Sequence, residues 1–549
     1  MNEQGWVREP PRVTPENEFF WRGGEVGELR LQRCTTCQTL RHPPGPVCPR
    51  CGSDGTEIAA VSGRAVVEAC TVNHRRWHPD VPVPYAVAIV SLVEDREVRL
   101  VTNIVGCPPE EVRVGQSVRV DFERIDGDVW VPVFRPDGAS DVDLGPPPPV
   151  PTAAGLLLRR PRFEDRVSIS GVGQSEVGRR LMRPPLSLTV DACRAALDDA
   201  GLTWADVDGL STYPGPGDTG MGEGGIVPLV EALRLQPTWF NSGFELPGQL
   251  GSVVAAMLAV ASGLCRHVLC YRTVWQSTEA TLAREGRFAP GAATPIWGHE
   301  WRAPYAASKA VNLLAARATR YMHTYGATRE MLGWVAVTER RHAGANPDAI
   351  YRTPLTMEQY LAAEPISTPF GIYDCDLLCD GAVAVVVSAR DAEADLASPP
   401  VRVEAVGTRI VERTAWDQGV LTHEPQIFGP AEHMWSRTDL RPADVDVAEL
   451  YDGFTFNAVS WLEALGFCGI GEAKDLVDGG KEIGLDGRIP LNTHGGQLSA
   501  GRLHGYGFLL EAVAQLRGRA GERQVSNART AVVTSGGLTP GGAMLLRAP

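Results

Sequence analysis

Four of the twelve cysteines fall in one short pattern, Cys34-x2-Cys37-x10-Cys48-x2-Cys51. Two CxxC knuckles this close supply four thiolates at the spacing that wraps a tetrahedral zinc ion. Four thiolates leave no coordination position for a substrate, so the expected metal is structural Zn2+. Pro43, Pro44 and Pro46 stiffen the connecting turn. Unrelated free thiols, or a redox dithiol in one knuckle, are the competing readings, and the second knuckle argues against both. A different chemistry is offered by Glu245 in WFNSGFELPGQLG, which runs into the apolar helix SVVAAMLAVASGLC. A carboxylate at a helix mouth is favoured by the dipole and is a candidate base; the plainer reading is an N-terminal capping acid.

The elements that must hold such groups follow from length and pattern. A chain of 549 residues is too long for one ordinary core. Its composition, 44% hydrophobic and 21% charged, is that of a globular protein. With 52 basic and 66 acidic residues the formal charge is −14. That excludes nucleic acid and anionic membranes as expected partners, since both demand a basic surface. A local basic pocket can still take an anionic cofactor. The opening MNEQGWVREPP lacks an apolar signal segment, and the longest apolar run, about Ser252 to Cys265, is too short to span a bilayer. A cytoplasmic protein with reduced thiols outside the metal cluster is expected.

Five segments are expected. Residues 1–60 hold an N-terminal helix and a zinc ribbon. Residues 61–136 read as an all-β domain of the OB type: YAVAIVSLV and EVRLVTNIV flank EDR, and VRVDFERI and DVWVPVF flank Asp126-Gly127, giving two hairpins. Residues 137–165 form a linker stiffened by Pro146 to Pro149. Residues 166–398 and 399–549 alternate strands and helices, as in an α/β domain. GLTWADVDGLSTY (Gly201 to Tyr213) and DLRPADVDVAELY (Asp439 to Tyr451) share L-x-x-A-D-V-D at an offset of 238 residues. With SGVG matched to EAVG, and two glycine-punctuated entries to apolar helices, this predicts two similar α/β halves.

FFWRGGEVGELRLQRCTTCQTLRHPPGPVCPRCGS resembles the rubredoxin-like zinc-ribbon plus OB-fold family that accompanies acyl-CoA thiolases and aldolases. GVGQSEVG, PFGIYDCDLLCDGAVAVVVS, ELYDGFTFNAVSWLEALGFC and NTHGGQLSAGRLHGYGFLLEAVAQLRG resemble the thiolase superfamily, in its lipid-transfer-protein branch. The resemblance implies a five-layered thiolase fold, an acyl-CoA thioester substrate and a homodimer. Three departures matter. Phe244 or Glu245 stands where a thiolase has its nucleophilic cysteine, Arg502 where it has the G-H-P histidine, and Thr534 where it has its second cysteine. Cysteine-less members with ELYDGFT and HGYG resemble aldolases that shorten steroid side chains. They cleave a β-hydroxyacyl-CoA into a ketone and a shorter acyl-CoA, commonly propionyl-CoA.

Such a cleavage needs a base for the β-hydroxyl, a donor for the thioester oxygen and a proton for the enolate carbon. It needs no nucleophile. Tyrosine can supply acid or base if a neighbour tunes its pKa of about 10. On the resemblance, Tyr451 in ELYDGFT and Tyr506 in HGYG are the candidate catalytic phenols. His494 in NTHGG and His504 in LHGYG are candidates to tune a phenol or hold the thioester oxygen; the plainer reading has all four packed in turns or core. Tyr373, Asp374 and Asp380 read as structural or pocket-lining, and His323 and His342 as surface or packing residues. Arg302, Lys309, Arg317 and Arg320, or Arg75, Arg76 and His74, are open choices for the coenzyme A phosphates. Two other functions compete: a C-acyltransferase with Cys375 or Cys468 as nucleophile, and a non-catalytic acyl-CoA or lipid-binding protein.

Overall fold

The computed structural model describes residues 6–78, 80–145, 162–214, 225–243, 247–287, 298–536 and 540–549. The proline run 146–149, Phe244 and Glu245 lie outside the described residues. Near the N-terminus a short helix, Glu18–Trp21, packs on a three-stranded antiparallel sheet of Leu29–Cys34, Leu40–Arg41 and Thr56–Val61. The knuckles sit in turns of this sheet. Gln38 and Gly52 have φ of 61° and 73°, and their N–H groups donate back to the Cys34 and Cys48 carbonyls at 2.9 and 2.8 Å. The four sulfurs gather within 4.8 Å of one another. The Cys34–Cys51 and Cys37–Cys48 Sγ pairs stand 3.6 and 3.5 Å apart. Zinc–sulfur bonds of about 2.3 Å in a tetrahedron require sulfurs about 3.8 Å apart, so the cluster fits the expected ion.

Five strands then close a small barrel. Arg64–Asn73 pairs with Tyr85–Leu92 and Ser117–Asp126; Tyr85–Leu92 pairs with Arg99–Asn103; Ser117–Asp126 pairs with Val129–Pro136. A parallel bridge from Ile104 to Phe134 completes the ring. Both expected hairpins form. Tyr85–Leu92 is buried at all eight positions rather than alternately. Its second face is covered by the helix Ala310–Tyr325 from the following region, which packs on both this strand and Arg64–Asn73. Thr71 donates to the Thr368 carbonyl at 2.7 Å and Tyr85 to that of Ala306 at 2.9 Å. Ser367 pairs in register with Asn73. The barrel is therefore docked by side-chain hydroxyls on backbone carbonyls, by strand pairing and by apolar burial together.

Apart from Pro365–Ser367 and Phe370–Gly371, which extend the barrel's sheet, the remaining described strands form a nine-stranded sheet built of two equivalent halves. In the first, Val167–Gln174, Asp380–Ala389, His267–Trp275, Gly209–Thr212 and Trp239–Ser242 lie side by side. In the second the order is Val401–Gly407, Gly542–Arg547, Thr530–Ser535 and Val447–Glu449. Each half runs antiparallel, antiparallel, then parallel. Within the sheet the two halves pair through Val401–Ile169 and Arg402–Ser168. The repeated aspartates do the same work twice. Asp206 and Asp444 accept the N–H of Thr203 and Arg441 at 2.7 and 2.8 Å, capping a short turn. Asp208 accepts from the N–H groups of Arg266 and His267, and Asp446 from those of Arg529 and Thr530, tying each strand to its parallel neighbour.

Helix Pro185–Ala200 covers the outer face of the first half and ends at Gly201, whose φ of 74° needs glycine. Helix Phe428–Trp435 covers the second half. Between the two halves lie Gly251–Ser262 and Gly505–Leu516; the latter touches strands of both. This gives the five layers, α-β-α-β-α, expected of the thiolase fold.

Candidate active site

The site gathers where loops leave the strands of both halves and meet the barrel. A cavity of about 990 Å3 opens there. Apolar walls come from Val311, Leu314, Ile372, Leu377 and Trp416, and the barrel contributes Arg75 and Trp77. Tyr451 and His504 line it together; Tyr506 and His494 do not.

Tyr451 follows the strand Val447–Glu449 and precedes the helix Thr455–Ala464. Its backbone is clamped on both sides. Asn492 accepts the Leu450 N–H at 2.7 Å and donates to the Leu450 carbonyl at 2.9 Å. Thr534 Oγ1 accepts the Tyr451 N–H at 2.9 Å. The ring packs against Phe508, with centroids 6.3 Å apart. A Cβ on Gly453 would come within 3.0 Å of the phenol oxygen, so the glycine makes room for the hydroxyl.

His504 has φ 57° and ψ −157°, a region that only glycine enters cheaply. Its Nδ1 accepts from the buried guanidinium of Arg272, at 3.0 Å from Nη2 and 3.3 Å from Nε. Arginine cannot accept a hydrogen bond, so Nδ1 carries the lone pair and the proton of the neutral ring sits on Nε2. Nε2 is buried and has no partner among the described residues. Burial, then the charges of Arg272 and Arg502, hold the imidazole well below its usual pKa. The result is a neutral ring with one unspent N–H donor beside the cavity.

Tyr506 begins the helix between the halves and is fully buried, its hydroxyl 2.7 Å from Ser252 Oγ. Burial pushes this phenol well above 10. His494 lies behind the cavity, with Nδ1 2.9 Å from Glu449 Oε2 and its ring edge-on to Phe508. Burial alone would lower its pKa, but the bond to Glu449 and that carboxylate's charge leave it raised.

Two cavity groups were not among the expected site residues. Asp376 is the one carboxylate among the described lining residues, and Arg502 stands beside it, Nε to Oδ2 2.8 Å. Burial lifts Asp376 to about 6, opposed by Arg502 and assisted by Asp452. Arg502, which the resemblance sets where a thiolase has its histidine, was the available signal: a cation placed in a pocket calls for a counter-charge.

The other candidates separate cleanly. Burial, with Asp374 and Asp376 nearby, pushes the Cys375 thiol well up, and burial lifts Cys468 to about 12. Neither is an activated nucleophile. Asp374 accepts from Tyr360 and Thr455 at 2.6 and 2.7 Å, and Asp380 from Leu181, Ser277 and Thr278, so both are structural. His342 Nδ1 donates to the backbone carbonyls of Leu491 and Asn492, and burial lowers the ring to about 4, while His323 is exposed. Arg317 is wholly buried among the carbonyls of Trp416, Gln418, Val420 and His423, and Arg320 reaches the Glu68 carbonyl. These two arginines hold the fold. Lys309, Arg75, Arg179 and Arg340 line the cavity.

Family models match three stretches of the chain: a ChsH2 rubredoxin-like zinc ribbon at residues 21–57, a ChsH2 C-terminal OB-fold domain at 59–123, and a thiolase C-terminal domain-like segment at 429–545. A steroid side-chain-cleaving aldolase of Thermomonospora curvata is 34% identical over 389 residues, which span 69% of this chain and 97% of the relative. A 17-hydroxy-3-oxo-4-pregnene-20-carboxyl-CoA lyase of Mycobacterium tuberculosis is 33% identical over 392 residues, 69% of this chain and 99% of the relative. The solved Ltp2-ChsH2(DUF35) aldolase superposes with a TM-score of 0.61 at 32% identity, covering 70% of this chain and 98% of that one. With a clustered four-thiolate zinc ribbon, an OB barrel and a thiolase fold in which no described thiol in the cavity is activated, the chain belongs to the thiolase-superfamily aldolases, the carbon–carbon lyases of which these relatives are members.

Proposed function

We propose that the protein cleaves a β-hydroxyacyl-CoA with a tertiary hydroxyl, on a steroid side chain or a similarly bulky group, to a ketone and a short acyl-CoA such as propionyl-CoA. The observation that carries this reading is the free Nε2–H of neutral His504 beside Tyr451 in one large apolar cavity. A donor held by the protein and already oriented stabilises the oxygen of an enolate as it forms. A volume near 990 Å3 is at the upper end of small-molecule sites and suits a fused-ring acyl group. Arg75, Lys309, Arg179 and Arg340 give the cavity the positive charge that coenzyme A phosphates need, against a net charge of −14 for the chain.

In this reading His504 holds the thioester oxygen, and Tyr451 gives a proton to the enolate carbon. Tyr506, which burial keeps protonated outside the cavity, acts as a positioning residue through Ser252, and His494 positions the Phe508 wall that backs Tyr451. Lone phenols are poor bases at neutral pH. The division into segments 1–60, 61–136, 137–165, 166–398 and 399–549 belongs to the same proposal, as does a cytoplasmic location. No helix among the described residues is long and apolar enough to cross a membrane. A homodimer through the thiolase-like region is supported by Trp239–Ser242, an edge strand with Phe240 63% exposed. The functional test is incubation of the full chain with a β-tertiary-hydroxyacyl-CoA. Ketone and short acyl-CoA should appear; an intact thioester would leave a binding protein.

A further inference from the structure

The phenols and imidazoles leave one requirement of the cleavage unmet, a base for the β-hydroxyl. Tyr506 is shifted the wrong way by burial, and His504 spends its lone pair on Arg272. His494 is turned onto Glu449 outside the cavity. The thiols facing the region, Cys375 and Cys379, are both pushed up by burial.

Asp376 is placed differently. Its segment crosses the Tyr451 loop: Cys375 bridges to Phe454, and the Asp376 N–H donates to the Gly453 carbonyl at 3.1 Å. Gly453 is the residue against which the Tyr451 hydroxyl lies. From the other side, the Arg502 N–H donates to the Leu377 carbonyl at 3.0 Å, and the Arg502 side chain pairs with the carboxylate. Carboxylate, phenol and imidazole thus line one cavity on three adjoining segments. The charged and titratable groups that act on Asp376 are Arg502, on segment 501–504, and Asp452, on the Tyr451 loop.

We propose that Asp376, oriented by Arg502, is the catalytic base that takes the β-hydroxyl proton in the proposed aldolase reaction. The inference rests on that functional reading. The hydroxyl proton moves to the Asp376 carboxylate as the oxygen lone pair becomes the ketone C=O. The Cα–Cβ bond breaks, and its electron pair enters the thioester enolate, whose oxygen accepts from His504 Nε2–H. Tyr451 then protonates Cα, and the proton on Asp376 returns to the phenolate. One substrate gives two products, and the protein ends in its starting protonation state. No oxidant, reductant or added reactant is consumed. A base with a pKa near 6 is deprotonated at pH 7 yet still basic enough to accept a proton, the compromise general-base catalysis favours.

The test compares native chain, Asp376→Asn and Arg502→Gln for cleavage of a β-tertiary-hydroxyacyl-CoA between pH 5 and 9. It also measures each protein's affinity for the matching acyl-CoA that lacks the β-hydroxyl. The carboxylate is the active form, so native kcat/KM should fall as pH drops through about 6. Asp376→Asn should lose about 10²–10⁴-fold in kcat and lose that acid limb, with the analogue bound within about threefold of native. Removing the cation destabilises the carboxylate, so Arg502→Gln should move the limb up by about one pH unit or more. Should Asp376→Asn fail to fold, the Arg502→Gln limb decides. A native chain that cleaves while Asp376→Asn keeps both rate and limb sinks the inference alone. So does an Asp376→Asn whose binding falls as much as its turnover, or an unmoved limb in Arg502→Gln. A native chain that leaves the thioester intact brings down the aldolase reading and this inference with it.

Discussion

Replacing His504 tests the electrostatic core of the site. Asparagine is the informative choice, because it keeps a polar side chain with a Cβ at this strained backbone and so changes the side chain rather than the backbone requirement. Its shorter side chain cannot both satisfy Arg272 and present a donor at the place of Nε2. In the native protein the donor is prepared before substrate arrives: Arg272, at 3.0 and 3.3 Å from Nδ1, fixes the tautomer, and no described group competes for Nε2–H. Losing one such pre-oriented donor costs about 10²–10³ in kcat, or roughly 2.7–4 kcal/mol of transition-state stabilisation. The interaction strengthens as charge develops, so KM should change by less than about threefold. Because burial and two arginines hold His504 well below its usual range, the ring is neutral at pH 7 and should contribute no limb near 6.5 to the native pH profile. Steady-state release of ketone gives the rates, and imidazole nitrogen NMR gives the tautomer. A loss of less than threefold in His504→Asn, or a native ring protonated on Nδ1, would refute the reasoning.

Three further expectations follow from named contacts. Tyr451→Phe removes only the hydroxyl beside Gly453 and should lower kcat by about 10²–10⁴-fold, with the Tm kept within a few degrees of native; Tyr506→Phe, which removes a buried hydroxyl bonded to Ser252 outside the cavity, should lose less kcat than Tyr451→Phe. Native protein should contain one zinc per chain by elemental analysis, and a strong chelator should unfold the ribbon, measured as protease cleavage within residues 29–61; zinc-free native protein would contradict the four-thiolate site. Arg75→Ala, on the barrel wall of the cavity, should raise KM for the CoA thioester with kcat little changed, and the effect should shrink at high salt.

The fold was legible in the sequence to a degree that can be traced residue by residue. The zinc ribbon was readable because thiolate spacing is local. The duplicated α/β halves were readable because L-x-x-A-D-V-D recurs, and its aspartates perform matched hydrogen bonding in each half. The two barrel hairpins were readable from their turns. The full burial of Tyr85–Leu92 was not, because the helix that covers it lies more than two hundred residues downstream. Short strands such as Gly209–Thr212 and Val447–Glu449 carry too few residues to show a period.

The site divides in the same way. Tyr451 and His504 could be singled out from their glycine-rich motifs. Which of the four candidates share a cavity depends on how three distant loops cross, and that is tertiary information. Arg272 sits within a strand buried at every position but its last, where its neighbours in sequence give no hint of a role. Asp376 was hidden by its company in GIYDCDLLCDG, where three acids share one short stretch and two serve the fold. The arginines of the Ala310–Tyr325 helix looked available for phosphates because a sequence cannot show that Arg317 is ringed by carbonyls.

The central claim is that carbon–carbon scission here proceeds by proton transfer around a held thioester, with no acyl group passing to the protein. Intact-protein mass spectrometry during turnover of a β-tertiary-hydroxyacyl-CoA, with ketone and CoA products followed in parallel, tests it most directly. The account predicts stoichiometric ketone and short acyl-CoA while the protein mass stays unchanged throughout. An acyl adduct that forms and decays at the rate of turnover would contradict it.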